Sequence, residues 1–243
     1  MRRILLLNPN TNEAMTAAMR AQAATHLPPE AELTTVTGSF GFPVVATRVA
    51  YAVASHAALD AYARRESDPD VVLLSCFGDP GLEALRELAP CPVVGLAEAS
   101  IRAADRFADT FAIITVGLPW IGMLEECVAA VRPASGFAGV FAVDGTGFDY
   151  VRSPETVLGA LDSLAERAGA AGARTLILGG GALAGLKHRL HTPARYIDCI
   201  EAAAIAALAA DAPHAGTAVR QTARPKGLSA PLAAVIDGQV GPA

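Results

Sequence analysis

The sequence predicts an α/β fold made of two pseudo-symmetric lobes, each a parallel sheet flanked by helices, with the active site in the cleft between them. Two observations carry that expectation. Short apolar runs alternate with longer segments whose apolar residues recur at helical spacing, the pattern of a parallel sheet covered by helices. The same order of elements then runs through the chain a second time, which reads as an approximate internal duplication. At 243 residues the chain can bury a sizeable core as one large domain or two small lobes. Residues 1–98 with 200–243 are expected to form the first lobe, and 99–199 the second.

Each element has its own justification. Residues 3–7 read as the first strand, because Asn8-Pro9-Asn10 ends the apolar run too early for a signal peptide. Asn10 and Glu13 are placed to form a capping box, with Ala14, Met15, Ala18 and Met19 on the buried face of the helix that follows. Residues 32–36 make strand two. Val49, Val53 and Ala57 repeat every fourth position in a helix ending near Arg64 and Arg65. Residues 71–75 form strand three, Leu82, Leu85 and Leu88 mark its helix, and Val93 and Val94 a short fourth strand.

The second pass begins with a strand over 111–115, a helix over about 119–131 and a strand over 140–143. Ser153-Pro154 is expected to cap a helix carrying Val157, Leu161, Leu164 and Ala168. Residues 175–178 form the strand before Gly179-Gly180-Gly181, and Thr192-Pro193 opens a last helix with Ile197, Ile200, Ala204 and Leu208 on one face. Residues 213–243 are weakly periodic; packing on the first lobe, reaching across a dimer and partial mobility are all open to them.

Composition bounds the function. Hydrophobic residues make up 52% and charged residues 18%, so a disordered chain is excluded. The formal charge of −5 gives no basic footprint for nucleic acid or anionic membrane, and no apolar run approaches the roughly 20 residues that span a bilayer. The four cysteines (76, 91, 127 and 199) are widely spaced without a C-x-x-C pair. That argues against metal and disulfide frameworks and for a cytoplasmic protein.

Cys76 is the leading candidate for catalysis. It stands where a strand gives way to Phe77-Gly78, with Asp79-Pro80 read as the N-cap and first position of the next helix. A thiol at a helix N-terminus is expected to ionise easily and serve as base, acid or nucleophile. Ligands in open α/β sheets bind beyond the carboxyl ends of strands, so two facing lobes would gather Asn8, Cys76, Thr115 and Gly180 around one cleft.

Asn8-Pro9-Asn10-Thr11 after the first strand, together with Cys76-Phe77-Gly78-Asp79-Pro80-Gly81-Leu82 after the third, resembles the aspartate/glutamate/hydantoin racemase superfamily, closest to its hydantoin and allantoin branch. The resemblance covers about residues 3–212 in element order. It implies two α/β lobes, no cofactor, a small carbon-acid substrate and a homo-oligomer. It also implies one cysteine from each lobe on opposite faces of the substrate, with backbone amides holding its oxygens. Here Leu178-Gly179-Gly180-Gly181-Ala182-Leu183 puts glycine where the family has its second cysteine. None of Cys91, Cys127 or Cys199 follows a matching strand. By this resemblance Cys76 is catalytic, while Asn8, Phe77, Gly78, Thr115, Val116, Gly180 and Gly181 bind the substrate. One cysteine also suits a lyase, hydrolase or cis–trans isomerase working through a covalent adduct, and a non-catalytic small-molecule binder stays open.

The remaining signals have plainer explanations. An Asn-Pro turn such as Asn8-Pro9 also arises from capping alone. Gly179 to Ala184 satisfies a loose dinucleotide pattern, but Lys187-His188-Arg189 follows instead of the required helix and acidic strand end. His188 and His191 fit a solvated basic face better than a metal site, Arg48 a surface position, and His56 a packed helix residue. Trp120 is expected to wall the cleft.

Overall fold

A computed structural model describes residues 2–145, 155–210 and 225–237. The first half runs β1 (Arg3–Asn8), α1 (Glu13–Ala24), β2 (Glu32–Thr37), α2 (Arg48–Ala63), β3 (Val71–Leu74), α3 (Leu82–Leu88), β4 (Val93–Gly95) and α4 (Leu96–Asp105). The second runs β5 (Phe111–Val116), α5 (Trp120–Val131), β6 (Phe137–Val143), α6 (Glu155–Ala170), β7 (Thr175–Gly179), β8 (Arg195–Asp198) and α7 (Cys199–Ala209), with α8 (Ala230–Asp237) near the end. Two four-stranded sheets result, ordered β2-β1-β3-β4 and β6-β5-β7-β8, with every strand pair parallel. The fold is the two-lobed α/β architecture that the alternating pattern predicted.

The central strands are apolar throughout because both of their faces are covered. In β1, Ile4 and Leu6 face a core shared by the two lobes, while Leu5 and Leu7 face the first lobe's own helices. In β5, Phe111 and Ile113 join the shared core, while Ala112, Ile114 and Val116 pack under α6. Each fully buried Leu, Ile or Phe side chain among these stabilises the fold by about 1.5–3 kcal/mol. A charge at Leu73, fully buried in β3, would break the first sheet.

The lobes also exchange helices. Helix α4 leaves the first sheet and lies on β7 and β8, whereas α7 leaves the second and lies on β3 and β4, and the two helices pack on each other. Leu96, Ile101 and Ala104 of α4 and Ile200, Ala203 and Ala207 of α7 all enter the shared core.

Several local expectations change. Asn12, not Asn10, caps α1, its Oδ1 accepting the Met15 N–H at 3.0 Å. The buried face of α1 is Thr16, Met19 and Ala23, with Ala14 and Ala18 exposed. Val49 is 69% exposed; α2 packs instead through Ala50, Ala54, Ala57, Ala58 and Ala61, small residues that let the helix lie close to the sheet. Residues 195–198 form a strand rather than a helix, because they pair with β7 from Thr175↔Arg195 to Leu178↔Asp198. Asp198 then caps α7 by accepting the Ile200 and Glu201 N–H groups, so Cys199 follows β8, the counterpart of β4, and not β7, the counterpart of β3. The Ser153-Pro154 cap lies outside the described residues. Helix α8 packs on α2 of the first lobe, burying Leu232, while Ser229 donates a hydrogen bond to Asp60.

Candidate active site

In each sheet the chain turns one way after the first central strand and the other way after the second, which opens a crevice at their carboxyl ends. The two crevices meet. Ser75, Cys76 and Phe77 after β3 join Thr115 and Val116 of β5 and Gly179, Gly180 and Gly181 after β7 around one cavity of about 80 Å³. Asn10, Met15 and Met19 close it from the α1 side, and Val44, Val45, Trp120, Ala182 and Leu183 complete the wall. Among these described lining residues, Cys76 is the sole ionisable side chain.

Cys76 is half-buried and free. The expected ease of ionisation is reversed: burial pushes its thiol up to about 12, and the neighbouring Asp79 carboxylate adds to the shift. The sequence argument failed on the helix. Helix α3 starts only at Leu82, with left-handed Gly81 at its N-cap position and no side-chain cap. Asp79 and Pro80 lie outside it, and the Asp79 carboxylate turns away to accept the Ala97 and Glu98 N–H groups of α4, at 2.9 and 2.8 Å. The resting thiol is therefore protonated at neutral pH.

Asn8 does not line the cavity. It is fully buried, and its Nδ2 donates to Asn10 Oδ1 at 2.9 Å and Thr16 Oγ1 at 2.8 Å while its Oδ1 accepts the Asn10 N–H. Its work is to hold Asn10, which does reach the cavity. Gly78 also lies elsewhere: its carbonyl accepts the Tyr51 hydroxyl at 2.9 Å and the Cys127 thiol at 3.5 Å, and it borders a second hollow. Thr115 lines the cavity with its hydroxyl engaged, donating to the Gly179 carbonyl at 2.5 Å. Phe77, Val116, Gly180 and Gly181 are in place as lining residues.

Gly180 has φ +136°, which L side chains rarely adopt, and nothing lies within 4 Å of where its Cβ would stand. The turn leaves open room opposite the first lobe. Cys199 sits beneath it, fully buried, with the Gly180 amide directed at its sulfur; burial pushes this thiol up strongly. It does not line the cavity.

The other candidates fall outside. Arg48 forms an exposed ion pair with Glu126, and His56 is exposed, edge-on to Phe40 at 5.0 Å. His188 and His191 are exposed, and no group of metal-ligating side chains occurs among the described residues. After Gly180 the chain makes short 3₁₀ turns at Gly181–Leu183 and Leu186–Arg189 before β8, so the glycine cluster opens no dinucleotide-binding helix. Trp120 walls the cavity as expected. Sequence reasoning missed Met15 and Met19 as lining groups and Val44 and Val45 altogether. The two methionines carry a legible helical spacing, whereas the valines lie in a loop with no periodic signal.

Several known proteins are similar to this chain. A family model described as Asp/Glu/Hydantoin racemase matches residues 4–207. The hydantoin racemase of Paenarthrobacter aurescens is 35% identical over 116 residues, 47% of this chain and 49% of that protein. The match thus spans about half the length of that relative. The hydantoin racemase of Pseudomonas sp. (strain NS671) is 29% identical over 168 residues, 68% of this chain and 67% of that protein. The crystal structure of allantoin racemase from Pseudomonas fluorescens superposes with a TM-score of 0.82 at 26% identity, covering 85% of this chain and 89% of that one.

Proposed function

The chain belongs to the Asp/Glu/hydantoin racemase family, and on that premise we propose that it is a cofactor-independent racemase-type isomerase. Its substrate is a small neutral carbon acid, and Cys76 moves the proton. One observation carries the proposal: the cavity where the two sheets' crevices meet has a single ionisable side chain among its described lining residues, Cys76. Among the described lining residues none is cationic, which disfavours an amino acid or dicarboxylate, whose charge would be buried unpaired. A cyclic ureide or imide of the hydantoin class suits it better. Met15, Met19, Val44, Val45, Trp120 and Leu183 favour an apolar substituent on the reacting carbon.

The chemistry is redox-neutral. Once Cys76 has lost its proton to solvent, its thiolate takes the proton from the carbon flanked by a carbonyl, becoming a thiol again, and the electron pair left behind spreads onto the carbonyl oxygen as an enolate. Backbone amides of Phe77 and Gly181 are the available donors to that oxygen. Return of the proton from Cys76 restores the original configuration, whereas inversion takes a proton from solvent water entering on the Gly180 side, where the described lining has no ionisable side chain. A thiol with a raised pKa is rarely ionised but is a strong base once it is. The same reading has the enzyme acting as a homo-oligomer in a reducing cytoplasm, which accords with four free cysteines. Among the described residues no helix is long and apolar enough to cross a membrane.

The test is a substrate panel in deuterium oxide. Apolar-substituted hydantoins, allantoin and aspartate are incubated with the enzyme and with Cys76→Ser, and carbon-bound deuterium is read by NMR. Exchange into a ureide, lost in the variant, is expected. Equal exchange into aspartate would contradict the neutral-substrate assignment, and a Cys76 adduct in intact-protein mass spectra would assign covalent chemistry instead.

A further inference from the structure

Asp79 takes no direct part in that proton transfer, yet its backbone and its carboxylate are both held by hydrogen bonds. Its backbone is left-handed at φ +56°. Its N–H closes a turn onto the Cys76 carbonyl at 3.0 Å, and its own carbonyl accepts the Leu82 N–H at 3.2 Å. The side chain is 8% exposed, and each carboxylate oxygen accepts one N–H from the first turn of α4. Helix α4 has Gly95 at its N-cap position and no side-chain cap there, so Asp79 caps it from a different part of the chain. Gly95 is needed for this, because a Cβ there would stand 2.4 Å from the carboxylate.

From this geometry we infer that Asp79 is a positioning residue for Cys76: its carboxylate fastens the catalytic turn to the N-terminus of α4 and sets a negative charge near that turn that opposes a second one on the thiol. The inference rests on the proposed function only in assigning Cys76 a catalytic role; the ionisation claim stands without it. The groups facing Asp79 come from four helices. Glu98 of α4 opposes its charge and Arg86 of α3 favours it, these two being ion-paired to each other at 2.6 Å, with Arg102 on the other Glu98 oxygen. Tyr51 of α2 and Cys127 of α5 lie close enough for Asp79 to raise both, as it raises Cys76. Burial lifts Asp79 itself to about 7, so the carboxylate is charged over the alkaline range in which Cys76 ionises.

The experiment follows alkylation of Cys76 by iodoacetamide against pH, read by peptide mass spectrometry, in the full chain and in Asp79→Asn. Removing the charge is expected to move the alkylation midpoint down by roughly one pH unit, while isotope exchange with a hydantoin falls about tenfold in kcat and KM changes little. An unmoved midpoint overturns the electrostatic role, and unchanged kcat overturns the positioning role. If exchange is absent even in wild type while the midpoint still moves, the proposed function fails and the ionisation claim survives. Should Asp79→Asn not fold, Gly95→Ala displaces the carboxylate without removing its charge. It is expected to lower kcat by a similar factor, and wild-type kcat in that variant would overturn the inference.

Discussion

Trp120 of the second lobe lies over Gly78 of the first so closely that a Cβ on Gly78 would stand 2.5 Å from the indole ring. Gly78 also has φ +103°, so the turn carrying Cys76 is shaped by two demands that only glycine meets. Gly78→Ala is expected to destabilise the protein by about 2 kcal/mol and to displace a cavity wall. Urea unfolding and the exchange rate should fall together.

The raised thiol sets the direction of the pH profile. Cys76 is protonated at neutrality, pushed up to about 12 by burial and Asp79, so kcat/KM for isotope exchange should climb steadily from pH 7 to 10 without a plateau. A plateau reached by pH 7 would mean that the thiolate is already formed there. Buffered initial rates decide the matter.

Gly180 offers room but a hostile backbone. A Cβ at position 180 would meet nothing within 4 Å, yet φ +136° is strained for any side chain, so Gly180→Cys costs about 1–3 kcal/mol. The variant should be less stable and should invert substrate faster relative to its exchange rate. Polarimetry beside NMR on the same samples measures that ratio.

Asp60 makes a separate prediction about stability. It is 1% exposed and accepts hydrogen bonds from Arg64 (2.6 Å), Ser39 (2.9 Å) and Ser229, fixing α8 to α2. Burial pushes its carboxyl up, but the bonds from Arg64, Ser229 and Ser39 outweigh that and leave it below its ordinary value. Because the folded-state pKa is depressed, this stabilisation is present above the unfolded value and is lost as pH falls through the folded one. Asp60→Ala should lose about 1–3 kcal/mol at pH 7, and the gap to wild type should narrow in acid denaturation.

Legibility followed burial. Strands β1, β3, β5 and β7 were readable because both faces are covered and the apolar runs are unbroken. Strand β8 was not, since Arg195-Tyr196-Ile197-Asp198 alternates over only four residues beside a strong helical pattern. Helix α4 was passed over because its cap comes from Asp79, far away in sequence. Cys76, Thr115 and Gly180 could be found because strand ends are where such sheets bind ligands. Asn12 caps α1, Asn10 lines the cavity and Asn8 is buried behind it, and three asparagines at alternate positions do not declare which of them takes each role. The direction of the Cys76 shift was misread for a related reason: the sequence does not reveal which helix Asp79 will cap.

The most direct measurement follows each enantiomer of a 5-substituted hydantoin separately in deuterium oxide, with wild type and with Cys76→Ser. Deuterium should enter one enantiomer faster than that enantiomer inverts, and the serine variant should lose at least about 100-fold of that rate. Undiminished exchange in Cys76→Ser would contradict the assignment of the proton transfer to this thiol.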